Sequence, residues 1–198
     1  MKSIIRLYIS HQIDAQEAIY IAEGQLHYLR NVMRVSIGDT ILIFDGINGE
    51  FKACIVNITK KLITLNVMEK TRIQDTGHDI WIIFPILKKS KVNLLIEKTT
   101  ELGVSCLQPI VTEYTNLDNL KINRLTLSAI EAAEQSRRLS IPVINPVKKM
   151  SELLNCWDTD RRILVMDETL ILDCNSRLEH KTLSELDFDK RKLIKDAI

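Results

Sequence analysis

The sequence predicts an α/β protein with a β-rich amino-terminal domain. Three observations carry that expectation: a strand–helix–strand pattern between Asp79 and Ile110, a series of short alternating strands before it, and a polar stretch between the two. Ile80 to Phe84 is an unbroken apolar run stopped by Pro85, which fits a strand buried on both faces of a parallel sheet. Val92, Leu95, Ile96, Thr99 and Leu102 then recur at helical spacing and place one apolar face on an amphipathic helix. Gly103 stands where that helix needs a left-handed residue to end. Cys106 to Val111 reads as the next strand. Sheets built from such β-α-β units bind ligands at the carboxyl ends of their strands.

The first 70 or so residues read as a small barrel of short strands. Ile4 to Ile9 is the first strand. Gly24 to Val35 is a short helix with Leu26, Leu29, Val32 and Met33 inward and His27, Arg30 and Arg34 outward. Gly38-Asp39 turns the chain into Thr40 to Phe44, and Asp45-Gly46 with Asn48-Gly49 brackets a tight hairpin turn. Phe51 to Ile58 and Leu62 to Val67 alternate as two further strands. Glu69 to His78 is polar and contains Gly77, so the expected domains are residues 1–72 and 78–198.

Beyond the central unit, Ile122 to Leu139 reads as a helix with Leu127, Ile130 and Ala133 facing the core. Arg124, Ser128, Glu131, Gln135 and Arg138 form one polar stripe along it. Pro142 forbids continuation, Val143-Ile144 is a short strand, and Arg161 to Met166 is another buried-strand candidate. The tail from Leu183 is charged and weakly helical.

Bulk properties narrow the class. A hydrophobic content of 45% is ordinary for a globular protein, and a net charge of +1 neither points to nucleic acid nor excludes it. No apolar run approaches the roughly 20 residues of a membrane helix. The strand-like start, interrupted by Arg6, is not a signal peptide. Cys54, Cys106, Cys156 and Cys174 form no CxxC pair, which argues against a zinc site or disulfide framework and for the cytoplasm.

Three segments then carry a family resemblance. His27-Tyr-Leu-Arg30-Asn-Val-Met-Arg34, followed by Gly38-Asp39, resembles the HxLxxVLR…GD pattern of the RsmE family, bacterial 16S ribosomal RNA (uracil-N3) methyltransferases of the knotted SPOUT class. Lys98 to Val104 is similar to the family's KxxELGV, and Glu131 to Arg138 with Pro142 to its EAxEQSGR…P. The resemblance implies a PUA-like barrel that helps hold RNA, followed by a SPOUT-type α/β methyltransferase domain. It implies S-adenosylmethionine as cofactor, 16S rRNA within the small ribosomal subunit as partner, and a homodimer.

The likeness stops near Glu168. The family's GPEGG loop and LGxRILRxETA segment, which tie the knot and cradle the cofactor, are not found, and no glycine follows Gly103. The expectation is a methyltransferase domain truncated before the knot, with activity and dimer lost or weakened; the alternative is a non-catalytic RNA-binding remnant. Tyr114 stands where the family often has arginine, and Arg137 where it has glycine.

For RNA, the candidates are His27, Arg30 and Arg34 on one helical face, and Arg124, Gln135 and Arg138 on the polar stripe, with the cofactor as an alternative ligand for Gln135 and Arg138. Against each stands the reading of an ordinary solvated surface. Lys88, Lys89 and Lys91 follow a strand's carboxyl end but suit a solvated turn better. Glu101 reads as part of the fold, so no catalytic, cofactor-binding or metal-binding residue is assigned.

Overall fold

The computed structural model describes residues 4–14, 18–75, 77–112 and 120–164. Residues Met1–Glu152 form one unit with two sheets, and Leu153–Ile198 a second.

The first sheet is built from β1 (Arg6–Tyr8), β2 (Ala18–Ile21), β3 (Thr40–Phe44), β4 (Glu50–Ile58) and β5 (Ile63–Arg72), in the order β1-β3-β4-β5-β2. Only β1 and β3 pair in parallel; the other pairs are antiparallel. Alternate residues of all five strands enter a single core, including Leu7, Ile19, Ile41, Ile55 and Leu65. That period of two is the one the sequence shows, and its convergence on one interior is the small barrel it predicts. Register shifts along β4 and β5 mark bulges, which bend a strand and increase its twist.

One end of this core is covered by α1 (Glu23–His27) and a π-helical turn, Tyr28–Val32. Leu26 and Leu29 are buried as expected, but Val32 is 60% exposed. The reason is the wider turn: the Met33 N–H reaches back five residues to the Tyr28 carbonyl, at 3.0 Å, which rotates Val32 off the apolar face. The segment ends at Arg34, whose φ is 52°, so Arg34 follows the helix rather than extending its outer face.

The β3–β4 turn is held by Asp45. Its carboxylate accepts the backbone N–H groups of Ile13, Ile47 and Asn48 at 2.7–2.9 Å, and the Asn48 side-chain amide at 2.8 Å. Burial works against ionisation, but these donors outweigh it and hold the carboxyl below its ordinary range. A depressed folded-state pKa adds stability above the unfolded value of about 3.9 and loses it as pH falls through the folded value. Asp45→Asn is therefore expected to be less stable than wild type in urea at pH 7 and pH 5, with the gap shrinking below about pH 4. A gap unchanged down to pH 2 would refute the assignment.

The second sheet contains β6 (Trp81–Pro85), β7 (Cys106–Val111), β8 (Val143–Ile144) and β9 (Lys148–Lys149), all parallel to β7, which is central. Between β6 and β7 runs α2 (Lys89–Leu102), ended by Gly103 at φ 84°. After β7 comes α3 (Ile122–Ser136), and α4 (Met150–Asn155) follows β9. The sequence reading missed β2 in the first sheet, and β9 and α4 here.

Val92 and Ile96 of α2 and Leu125 and Ala129 of α3 share one core with Phe84 and Leu107. Both helices thus cover the same face of the sheet. Trp81, Ile82 and Ile83 are only half-buried, so the apolar run Ile80 to Phe84 is not covered on both faces by the described residues. The core face of α3 is in part a correction. Ala133 is buried as expected and Ile130 is half-buried, but Leu127 is 66% exposed, and Leu125, Ala129 and Ala132 are inside instead. Small alanines let α3 lie close against its neighbours. Arg161 to Leu164, expected as a strand, is irregular; Val165 and Met166, Tyr114 and the tail from Leu183 lie outside the described residues.

Candidate nucleic-acid interface

The sheets meet where α3 ends. Phe44 of β3, Ala133 of α3 and Leu139 form a small apolar cluster, with Tyr8 packed against it. Beside it, Arg6 projects from β1 into the junction. Its Nε donates to Glu50 Oε2 at 2.5 Å, its Nη1 to the Ala133 carbonyl at 2.7 Å, and its Nη2 to the Arg138 carbonyl at 2.6 Å. The guanidinium lies 4.0 Å from the centroid of the Phe44 ring.

This one side chain therefore neutralises a buried carboxylate of the barrel and occupies carbonyls at the carboxyl end of α3, where a cation is favoured. Thr71 Oγ1 donates to the other Glu50 oxygen at 3.1 Å. Burial lowers the Arg6 pKa, and the Glu50 hydrogen bond and charge oppose that. A second tie is Glu134, whose Oε1 accepts the Tyr8 N–H at 2.8 Å. Burial holds the Glu134 carboxyl above its ordinary range despite that bond and the nearby Arg6 charge.

A cleft of about 660 Å³ opens over this junction. Arg72, Gln135, Ser136, Arg137 and Arg138 line it on one side, and Tyr28, Met33 and Leu42 add an apolar part. Arg72 Nη1 donates to the Arg137 carbonyl at 2.8 Å and lies 3.9 Å from Glu50 Oε2. Arg137 terminates α3 at φ 61°. A side chain in that left-handed region costs about 1–2 kcal/mol relative to glycine. Arg138 lies past the helix, so it does not continue the polar stripe of α3. Its Nε donates to the Glu101 carbonyl at 2.9 Å, and its guanidinium covers Gly103.

Of the six residues expected to bind RNA, Gln135 and Arg138 line the cleft. His27, Arg30 and Arg34 are exposed around the π-helical turn, and Arg124 is exposed in the first turn of α3; none of these four is among the cleft-lining residues. Lys88, Lys89 and Lys91 are exposed at the start of α2. Glu101 pairs with Lys98 at 3.0 Å on the surface of α2. Sequence reasoning missed Arg6, Tyr28, Arg72 and Glu134. The available signals were the cation in the apolar first strand and the places of Tyr28 and Glu134 within the two family-like segments.

Comparison with known proteins bears directly on this arrangement. A family model described as an RNA methyltransferase domain matches residues 74–193, and one described as an RNA methyltransferase PUA domain matches residues 21–68. A ribosomal RNA small subunit methyltransferase E from Rickettsia conorii is 31% identical over 150 residues, 75% of this chain and 62% of that protein. One from Buchnera aphidicola of Acyrthosiphon pisum is 28% identical over 183 residues, 87% of this chain and 72% of that protein. Among solved structures, a ribosomal RNA small subunit methyltransferase E from Neisseria gonorrhoeae bound to S-adenosyl methionine superposes with a TM-score of 0.72. It is 22% identical, with 80% of this chain and 68% of that chain covered, and so speaks to the fold.

The chain is thus a PUA-like barrel joined to an α/β domain of the RNA methyltransferase class. Within that class it belongs to the RsmE family, that of ribosomal RNA small subunit methyltransferase E. It spans 62% of the Rickettsia protein's length. The RNA methyltransferase match extends to residue 193, so it takes in residues after Glu168 that carry none of the familiar motifs.

Proposed function

We propose that the protein methylates the N3 position of a uridine in 16S ribosomal RNA of the small ribosomal subunit, in the cytoplasm. Residues 1–72 serve as the RNA-binding barrel and residues 78–198 as the methyltransferase domain. The observation that supports this best is the succession, along one chain, of a PUA match at 21–68 and an RNA methyltransferase match at 74–193.

S-adenosylmethionine supplies the methyl group as an electrophilic sulfonium when bound. The described residues do not fit it with a glycine-lined cradle: Gly103 is the last glycine of the chain, and the Arg138 guanidinium covers it. No residue is assigned to hold the cofactor. What the chain's own residues contribute is the RNA. His27, Arg30, Arg34 and Arg124 present exposed donors suited to phosphates, which set register and orientation without reading sequence. Gln135 and Arg138 face the cleft at the junction. Arg6 ties the barrel to the end of α3 at that junction through its bonds to Glu50, Ala133 and Arg138. Methyl transfer to isolated small ribosomal subunits, read as N3-methyluridine after digestion, tests the proposal.

A further inference from the structure

The cleft over the junction contains charges that cancel and charges that do not. Arg6 and Glu50 satisfy one another in the interior. Glu134 accepts the Tyr8 N–H, and Arg72 is engaged by the Arg137 carbonyl. Asp75 is the exposed acid among the lining residues. Two further guanidinium groups line the cleft with Gln135 and Ser136: Arg137, which is exposed, and Arg138, whose Nε also donates to the Glu101 carbonyl while no acid pairs with its charge among the described residues. Tyr28, at the lip of the core and 36% exposed, adds an aromatic ring.

Arg137 is the informative residue. Its backbone is left-handed, at φ 61°, where glycine fits without steric cost, yet a long cation occupies the position and lines the cleft. A strained non-glycine residue at the edge of a cleft is a reason to look for a function.

We propose that this cleft seats one unpaired nucleotide of an RNA strand, with its base stacked on Tyr28 and its phosphate held by Arg137 and Arg138. That the ligand is RNA rests on the methyltransferase reading above. The cleft's volume of about 660 Å³ lies within the roughly 300–1,000 Å³ of pockets that enclose small ligands. An aromatic ring beside guanidinium groups is the pairing that holds unstacked bases and their backbone. A base inside a duplex is already stacked and cannot enter, so the seat selects single-stranded or splayed-out RNA.

The test is fluorescence anisotropy of labelled single-stranded oligouridine and of a duplex RNA, with wild type, Tyr28→Ala, Tyr28→Phe and Arg137→Gly. Arg137→Gly removes the cation while relieving the backbone, and thermal melts report that each variant is folded. Tyr28→Ala and Arg137→Gly are each expected to weaken single-strand binding about tenfold. Tyr28→Phe, which keeps the ring, restores most of the loss, and duplex affinity changes little. Arg137→Gly also flattens the dependence of log affinity on log salt by about 0.7.

Variants that bind single strands within twofold of wild type overturn the proposal, as does a wild type that prefers the duplex. Methyl transfer by the same wild-type preparation separates this failure from that of the enzyme reading. Transfer with unaffected variants removes the nucleotide seat alone. Weakened variants without transfer uphold the seat and remove the enzyme.

Discussion

Replacing Arg6 with alanine is expected to lower the unfolding free energy by about 3–5 kcal/mol. Both side chains of the Arg6–Glu50 pair are only 5% exposed, so Glu50 would be left as a buried carboxylate. Its remaining partners would be the Thr71 hydroxyl and the more distant, half-exposed Arg72. The Ala133 and Arg138 carbonyls would lose their donor as well. For a chain of this length the loss corresponds to a fall in Tm of roughly 6–20 °C. Removing both charges as Arg6→Met with Glu50→Gln should be milder than Arg6→Ala alone, because no buried ion then lacks its counter-charge. A drop of less than about 1 kcal/mol for Arg6→Ala would show that water reaches the junction and that the pair behaves like a surface one.

The second large effect belongs to Gly49→Ala. At φ 96° a side chain is already strained, and a Cβ here would lie 2.3 Å from the Arg72 carbonyl oxygen and 2.9 Å from the Gln74 nitrogen. Both are backbone atoms, so neither can swing aside. The left-handed conformation costs about 1–2 kcal/mol and the overpacking about 1–3, giving an expected loss of about 2–5 kcal/mol. Because the clash prises the end of β5 away from the start of β4, Arg72 should move with it, and the cleft should change shape. Urea unfolding of Gly49→Ala beside Gly46→Ala is the informative comparison. Gly46 also has a positive φ, but its nearest neighbour is 3.8 Å from the added Cβ, so it should lose only the conformational part. Equal losses for the two would refute the steric account.

What the sequence made legible was periodic and local. The alternation of Ile41 with Ile43, or of Ile63, Leu65 and Val67, fixes which side chains enter the barrel. Val92 and Ile96 at helical spacing, closed by Gly103, fix α2, although Leu102, expected on the same face, is 76% exposed. The misplaced face of α3 shows the limit of weighing residues by size. Leu127 outweighs an alanine on any hydrophobicity scale, yet it is exposed while Ala129 and Ala132 are buried beside Leu125. The π-helical turn was illegible because one widened turn leaves the order of apolar residues unchanged while rotating Val32 outward. Nor does an arginine announce a left-handed helix end, and the departure from glycine at Arg137 acquires a physical meaning only with its φ in hand.

The candidate site was the least legible part. Arg6 meets Glu50 across 44 residues and Ala133 across 127, so no local pattern links them. Gln135 and Arg138 were visible through motif likeness, whereas Arg72 lies in no family-like segment and joins them, with Tyr28, only through the folding of the barrel against α3. The proposal of RNA contacts on His27, Arg30, Arg34 and Arg124 rests on exposure and residue type, which sequence and structure supply about equally.

The most direct test of the account is transfer of the labelled methyl group from S-adenosylmethionine to purified small ribosomal subunits by the 198-residue chain. Nuclease digestion and mass spectrometry would then locate the modified base. The account predicts label in 16S rRNA as N3-methyluridine at a single position. It predicts none in free uridine, because the barrel and the cleft act on a strand held in place. A folded, RNA-binding chain that transfers no methyl group under these conditions would contradict the enzyme reading and leave an RNA-binding protein in its place.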